Sequence, residues 1–257
     1  MRFFLRFYEE LNDFLPTAKK YQLIEFQCFQ TTTCKDAIES LGVPHTEVDL
    51  VLVNGQSESF DHLLKDSDRV SVYPMFESFD ISSLTKVRAT PIRKTKEATT
   101  KFVVDVNLGK LAHFLRMLGF DTIYDRHLED DEALAHISKS QCRILLTRDI
   151  GLLKRKDVDH GYFVRSRAPK EQALEVLRRF DLVSMIQLCS RCLQCNCEIV
   201  PIAKDKVLGL VPSLVEKAYM QFWFCPNCEK IYWEGTHFEH MKKSVKEWKR
   251  HIANEKQ

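Results

Sequence analysis

The sequence predicts an α/β protein. A parallel-sheet unit is preceded by a small α+β unit and followed by a cysteine-rich unit. Three observations carry this reading. Strand-like and helix-like patterns alternate between Lys101 and Phe180, as expected of parallel strands joined by helical crossovers. The first 80 residues follow the order β-β-α-β-β. Six of the nine cysteines fall within residues 189–228.

Composition narrows the class. The chain has 257 residues, of which 44% are hydrophobic and 29% charged, the balance of a folded globular protein. No apolar run approaches the ~18 residues that span a bilayer. Met1-Arg2-Phe3-Phe4-Leu5-Arg6 carries charge inside its apolar stretch and no small-residue cleavage site, so the expectation is a cytoplasmic protein without a membrane partner. Net charge runs from −3 over residues 1–100, through +2 over 101–188, to +3 over 189–257. That gradient is compatible with a nucleic-acid partner toward the C-terminus.

Residues 2–10 and 22–30 alternate between apolar and polar like half-buried strands. Thr33 then reads as the N-cap of a short helix that buries Ala37, Ile38 and Leu41 and stops at Gly42. Val48–Val53 is a strand, and Asn54-Gly55 after it is a tight-turn signal. The last strand of this unit covers 68–73, and Pro74 ends it. Residues 81–100 lose apolar periodicity and are rich in Ser, Thr, Lys and Arg, which marks a linker or surface-draped segment.

A new pattern starts at Lys101. Phe102-Val103-Val104 is a short apolar strand that ends at Asp105. Leu108, Leu111, Ala112, Leu115 and Leu118 recur at helical spacing, and Gly119 closes that helix. Residues 121–124 form a second strand, and Asp130 and Asp131 open a second helix. Residues 143–147 form a third strand ending in Arg148-Asp149, and residues 162–165 a fourth. A helix over 169–180 carries Pro in its first turn. From 187 the composition turns to cysteine, aromatic and basic residues, and the tail from Phe238 to Ile252 is a helix with Met241, Val245 and Trp248 on one face.

The candidate chemistry begins with carboxylates. Asp105 and Asp149 each follow a buried strand, and Asp131 sits at the helix start after the second strand. In α/β sheets the carboxyl ends of the strands form the crevice that binds ligands. Three converging carboxylates repel one another unless a divalent cation neutralises them, and Mg²⁺ or Mn²⁺ prefers such hard oxygen ligands. A water activated there can attack a phosphodiester. The blander reading of each Asp, taken singly, is a helix cap. Lys110, Arg116 and Arg148 are the cations placed to hold a phosphate backbone, and Lys154-Arg155-Lys156 reads as a solvated run.

Cys192-Leu193-Gln194-Cys195 and Cys225-Pro226-Asn227-Cys228 are separated by 29 residues. Two such pairs supply the four thiolates of a tetrahedral Zn²⁺ site, closed to substrate and therefore structural. Cys189 and Cys192 form a second Cys-x-x-Cys, and Cys197 lies close by. Asn196 and the apolar run after it favour the Cys192/Cys195 pairing, with a strand leading out of the knuckle. Tyr232 and Trp233 then read as ribbon packing, and His237 as a phosphate contact.

Residues 102–125 (FVVDVNLGKLAHFLRMLGFDTIYD), 145–155 (LLTRDIGLLKR), 190–196 (SRCLQCN) and 225–237 (CPNCEKIYWEGTH) resemble the Mut-seven C-terminal ribonuclease family, which is similar to PIN-type nucleases. The resemblance covers about residues 101–245. Residues 1–80 resemble the ubiquitin-like, β-grasp domain that often precedes this nuclease module and is related to sulfur carriers. Sulfur carriers end in Gly-Gly, whereas here Pro74-Met75-Phe76-Glu77 follows and the chain continues, so a docking or positioning role is expected instead. The resemblance implies a β-grasp domain at 1–80, a linker at 81–100, a PIN-like domain at 101–186 and a zinc ribbon with a C-terminal helix at 187–257. It implies acids at Asp105, Asp131 and Asp149, with Asp121 and Asp130 secondary, and zinc ligands at Cys192, Cys195, Cys225 and Cys228. Relatives often carry His where this sequence has Asn107.

The expected function is metal-dependent hydrolysis of RNA phosphodiesters. Asp105, Asp131 and Asp149 hold Mg²⁺ or Mn²⁺, the zinc ribbon aids RNA binding, and the β-grasp domain is open to a protein partner. The alternative is a non-catalytic RNA-binding or adaptor protein whose β-grasp domain recruits that partner.

Overall fold

The computed structural model describes residues 1–76, 81, 83–87 and 100–255, with side chains for all of these except 237 and 251–255. The chain forms two compact units, one of Met1–Ala98 with Leu128–Val164, the other of Thr99–His127 with Arg165–Gln257.

In the first unit, β1 (Arg2–Phe7), β2 (Leu23–Gln27), α1 (Cys34–Ser40), β3 (Val48–Val53), β4 (Gln56–Ser57) and β5 (Arg69–Pro74) follow in order. The strands form one sheet in the order β2-β1-β5-β3-β4. β1 pairs parallel with β5, placing Leu5 opposite Val70, and antiparallel with β2. Alternation along β1 and β5 buries Phe3, Leu5, Phe7, Val70 and Val72 beneath Ala37 and Ile38 of α1. This is the β-grasp arrangement expected of residues 1–80. Thr33 caps α1 by accepting a hydrogen bond from Asp36 N at 3.1 Å. Asn54 and Gly55 both take positive φ between β3 and β4, as a two-residue hairpin turn requires. The fifth strand, β4, is two residues long and escaped the sequence pattern.

Of the expected linker, residues 82 and 88–99 lie outside the described part. Thr85 Oγ1 donates to Asp49 O at 2.5 Å, and Val87 packs on the β-grasp core. This described piece is therefore draped on its own unit.

The chain continues through β6 (Lys101–Val104), α2 (Gly109–Met117) and β7 (Asp121–Ile123) in the second unit. It passes through α3 (Asp131–Ser140), β8 (Ile144–Thr147), α4 (Ile150–Leu153) and β9 (Gly161–Phe163) in the first, then returns as α5 (Pro169–Arg179). β6 pairs parallel with β7, and β8 parallel with β9, confirming the α/β class. In the first unit the loop after α1 holds the β8–β9 layer. Glu47, fully buried, accepts from Phe163 N at 2.6 Å. Lys154 Nζ donates to Glu39 O at 2.7 Å. His45 Nδ1 faces Glu39 Oε1 at 2.7 Å, and its Nε2 faces Val158 O at 2.9 Å. The ring thus ties the loop after α1 to the segment between α4 and β9.

In the second unit, Leu108, Leu111, Ala112, Leu115 and Leu118 all turn inward, as their spacing predicts. α2 contacts α5, whose Ala173, Val176 and Leu177 are also buried, while Phe102 meets Phe120 edge-on at 6.2 Å. A three-stranded antiparallel ribbon follows, made of β10 (Val200–Ile202), then α6 (Ser213–Ala218) within the connection, then β11 (Phe222–Phe224) and β12 (Ile231–Trp233). The chain ends in α7 (Thr236–Glu255), which buries Met241, Val245 and Trp248.

Gly119 closes α2 at φ +94, and a Cβ there would stand 2.4 Å from Gln187 O and 2.7 Å from Ser190 Oγ. Both backbone strain and overlap oppose any side chain. Gly119→Ala is expected to lower unfolding stability by about 2 kcal/mol or more. Denaturant titration checks this, and an unchanged midpoint would show that the 187–190 turn yields freely.

Candidate functional site

The cysteine cluster is the most fully built site. Sγ atoms of Cys192, Cys195, Cys225 and Cys228 all lie within 4.8 Å of one another. The Cys192–Cys228 and Cys195–Cys225 sulfurs are each 3.4 Å apart. A tetrahedral ion with ~2.3 Å metal–sulfur bonds needs sulfurs about 3.8 Å apart, so the donor set fits a zinc-sized ion.

Both knuckles use one turn. Asn196 N donates to Cys192 O at 3.0 Å, and Glu229 N to Cys225 O at 2.9 Å. Asn196 and Glu229, each just after its second cysteine, take φ +66 and +59. Cys192 N and Cys225 N reach forward to Cys197 O and Lys230 O at 2.7 and 2.9 Å. This matched geometry brings the sulfurs of Cys192, Cys195, Cys225 and Cys228 together. Cys189 stands outside the cluster, and burial, with Glu234 nearby, pushes its thiol up to about 11. Cys197 packs against the cluster as a partly buried side chain. Tyr232 OH accepts from Leu193 N at 3.1 Å and lies 3.1 Å from Cys192 Sγ. With Cys192 as a thiolate, the hydroxyl would donate to the sulfur and stabilise its charge.

Arg116 is not the phosphate contact expected from the sequence. Its side chain is buried, and four of its five N–H donors go to backbone carbonyls. Nε donates to Thr122 O at 3.0 Å and Nη2 to Tyr124 O at 3.2 Å, along β7. Nη1 donates to Leu193 O at 2.9 Å and Gln194 O at 2.8 Å, inside the first knuckle. Asn196 completes the junction, accepting from Thr122 N at 2.9 Å and donating to Asp121 Oδ1 at 2.7 Å. Asp121 thus serves the junction at the start of β7. No sequence signal pointed to Asn196 in this role, apart from its place directly after a knuckle.

The carboxylates take the following positions. Asp105 follows β6 and is buried. Its Oδ1 accepts from Asn107 N at 3.2 Å and Asn107 Nδ2 at 3.4 Å. Asp149 follows β8 and is exposed, and its Oδ1 accepts from Gly151 N at 2.6 Å and Leu152 N at 3.2 Å. Each is therefore a cap at a strand's carboxyl end. Asp131 is the first residue of α3 and is exposed, while Asp130 is that helix's cap and accepts from Glu132 N at 3.0 Å. Asp105 belongs to the second unit, Asp131 and Asp149 to the first.

Of the expected phosphate contacts, Lys110 is exposed in the first turn of α2. Arg148 donates from Nη1 to Val164 O at 3.0 Å, with its guanidinium 5.9 Å from the Phe163 ring centre. His237 falls in the first turn of α7, and its side chain lies outside the described part.

The comparisons with known proteins fit this anatomy. Residues 100–245 match the family described as Mut7-C RNAse domain, and residues 1–80 match Mut7-C ubiquitin. No curated protein matches the chain. Among solved structures, SAMP1 from Haloferax volcanii is similar at 13% identity, covering 30% of this chain and 97% of that one, with a TM-score of 0.24.

Replacing Arg116 by Ala leaves four backbone carbonyls without their charged donor, so a loss of about 3 kcal/mol or more is expected. Urea denaturation together with metal content checks it. Full stability combined with weakened RNA binding would restore the phosphate-contact reading.

Proposed function

The chain belongs to the Mut7-C RNAse domain family, and on that premise we propose that it hydrolyses RNA phosphodiesters with the help of a divalent metal ion. The observation that carries the proposal is the pair of capping aspartates. Asp105 and Asp149 each hold the turn after a parallel strand through Oδ1. Such a cap fixes the carboxylate at the carboxyl end of its strand, the ligand-binding end of α/β sheets. Asp149 Oδ2 makes no hydrogen bond to any described residue.

We assign Asp105, Asp131 and Asp149 as holders of Mg²⁺ or Mn²⁺. When bound, such an ion supplies charge stabilisation on the phosphoryl oxygens and an acidified water. Asn107 keeps the Asp105 carboxylate oriented by two donated hydrogen bonds. Arg148, held by Val164 O and the Phe163 ring, presents a fixed cation beside Asp149 in sequence. Lys110 contributes a second cation to phosphate binding.

The four-cysteine cluster is assigned to structural Zn²⁺, because four thiolates leave no position for substrate. Paired thiolates kept for metal fit a reducing compartment such as the cytoplasm. We assign the modules as 1–80, 101–186 and 187–257. The contacts of Glu39, His45 and Glu47 with residues 154–163 support a β-grasp domain that braces the nuclease module. They favour this role over recruitment of an outside partner.

Purified protein incubated with mixed RNA should cleave it in Mn²⁺ and leave it intact in EDTA. Asp105→Asn and Asp149→Asn should each reduce cleavage by about a hundredfold or more, with RNA affinity retained or raised as carboxylate repulsion is relieved. Gel-resolved time courses and anisotropy read the two quantities. Metal-independent cutting, or unchanged cutting by Asp149→Asn, would sink the proposal. Elemental analysis should find about one zinc per chain. Cys225→Ser should lose that zinc and cooperative unfolding of the ribbon with it, and full zinc content in this variant would refute the assignment.

A further inference from the structure

Two cavities lie side by side between α2 and the start of α5, both within the second unit. One, of about 590 Å³, begins at Asn107, which is hydrogen-bonded to Asp105, and reaches Tyr124, Arg167 and Gln172. The other, of about 650 Å³, is almost wholly apolar and runs over Phe114 and Met117 to Leu193 of the first knuckle. Lys110, His113 and Pro169 border both. Together they form a groove leading from an aspartate at a strand end toward the zinc ribbon.

The groove's chemistry selects its occupant. Three cations, Lys110, Arg167 and Lys170, stand along it, and among the described residues no Asp or Glu lines either cavity. Lys110 and Arg167 form no ion pair with a described residue, while Lys170 Nζ lies 5.9 Å from the Trp248 ring centre. Unpaired cations above a concave surface attract a polyanion. Gln172 is 5% exposed, its Nε2 donates to Ser166 O at 3.0 Å, and its Oε1 accepts from no described residue. A base edge can meet that open acceptor. Tyr124 lies so close to Gly109 that a Cβ there would fall 2.4 Å from its hydroxyl, which fixes the ring as part of the wall. Each cavity falls in the size range of small-ligand sites, ~300–1,000 Å³.

We propose that this groove binds single-stranded RNA beside the cut. Phosphates are held by Lys110, Arg167 and Lys170. One base lies against Tyr124 with its edge at Gln172, and the next enters the apolar cavity over Phe114. Bases must be unstacked to enter such cavities, so a duplex is excluded. The proposal rests on the ribonuclease reading and adds to it the strand form of the substrate and residues outside the acidic set.

The test is anisotropy of a labelled single-stranded ten-nucleotide RNA, titrated in EDTA across a salt series. Lys110→Ala/Arg167→Ala should raise Kd about tenfold and reduce the salt slope by roughly 1.4, the value for two phosphate contacts on a single strand. Tyr124→Ala and Phe114→Ala should each weaken binding about fivefold or more, through lost stacking. Photo-crosslinking of the unmodified protein with 4-thiouridine RNA guards against variants that unfold, and crosslinks should fall within 107–124 and 167–172. An unchanged Kd and slope in the double variant, crosslinks confined to other segments, or equal affinity for duplex RNA would each overturn the groove. Manganese-dependent cleavage by the unmodified protein is scored separately. If cleavage persists while the groove variants bind normally, the groove alone fails. If the variants lose binding but the unmodified protein never cleaves, the groove stands and the ribonuclease reading fails.

Discussion

A single buried guanidinium organises the second unit. Arg116 comes from the end of α2, yet its four hydrogen bonds go to β7 and to the first cysteine knuckle. A buried cation is costly unless its donors find acceptors, and here carbonyl oxygens take four of the five. Burial pulls the guanidinium below its usual range, while the Cys192 and Cys195 sulfurs work the other way. The side chain therefore links helix, strand and cysteine cluster. Two knuckle carbonyls are held from α2, and the groove along α2 takes its far wall, Leu193, from the same junction.

The strand-end aspartates share one local role, holding the turn that follows the strand. A cap needs a short acceptor immediately before a helical turn, and hard cations take carboxylate oxygens of the same kind. Asp105 and Asp149 use one oxygen for the cap. Asp130, which also caps, lies one residue before Asp131. Capping alone therefore does not distinguish the strand-end aspartates from Asp130, and placement after a parallel strand does.

Much of the architecture was legible in the residues themselves. The spacing of Leu108, Leu111, Ala112, Leu115 and Leu118 dictates which face of α2 is buried. Cys192, Cys195, Cys225 and Cys228 carry their own geometry in their spacing. Arg116 was misread because charge pattern records a cation but not the carbonyls of Leu193 and Gln194, 77 and 78 residues away, that absorb it. Asn196 was legible as a knuckle residue but not as a partner of β7, since that pairing exists only after long-range folding. β4 and the ribbon strands are two or three residues long, too short for periodicity to register.

The buried carboxylate of Glu47 has a consequence beyond bracing. It takes the N–H of Phe163, a donor that β9 would otherwise offer to any passing strand. Exposed strand flanks of this kind are templates for self-association, and natural proteins cover them. The N-terminal module thus guards a flank of its own unit against aggregation. Cutting it away would leave 128–164 with an open backbone ladder and a tendency to precipitate.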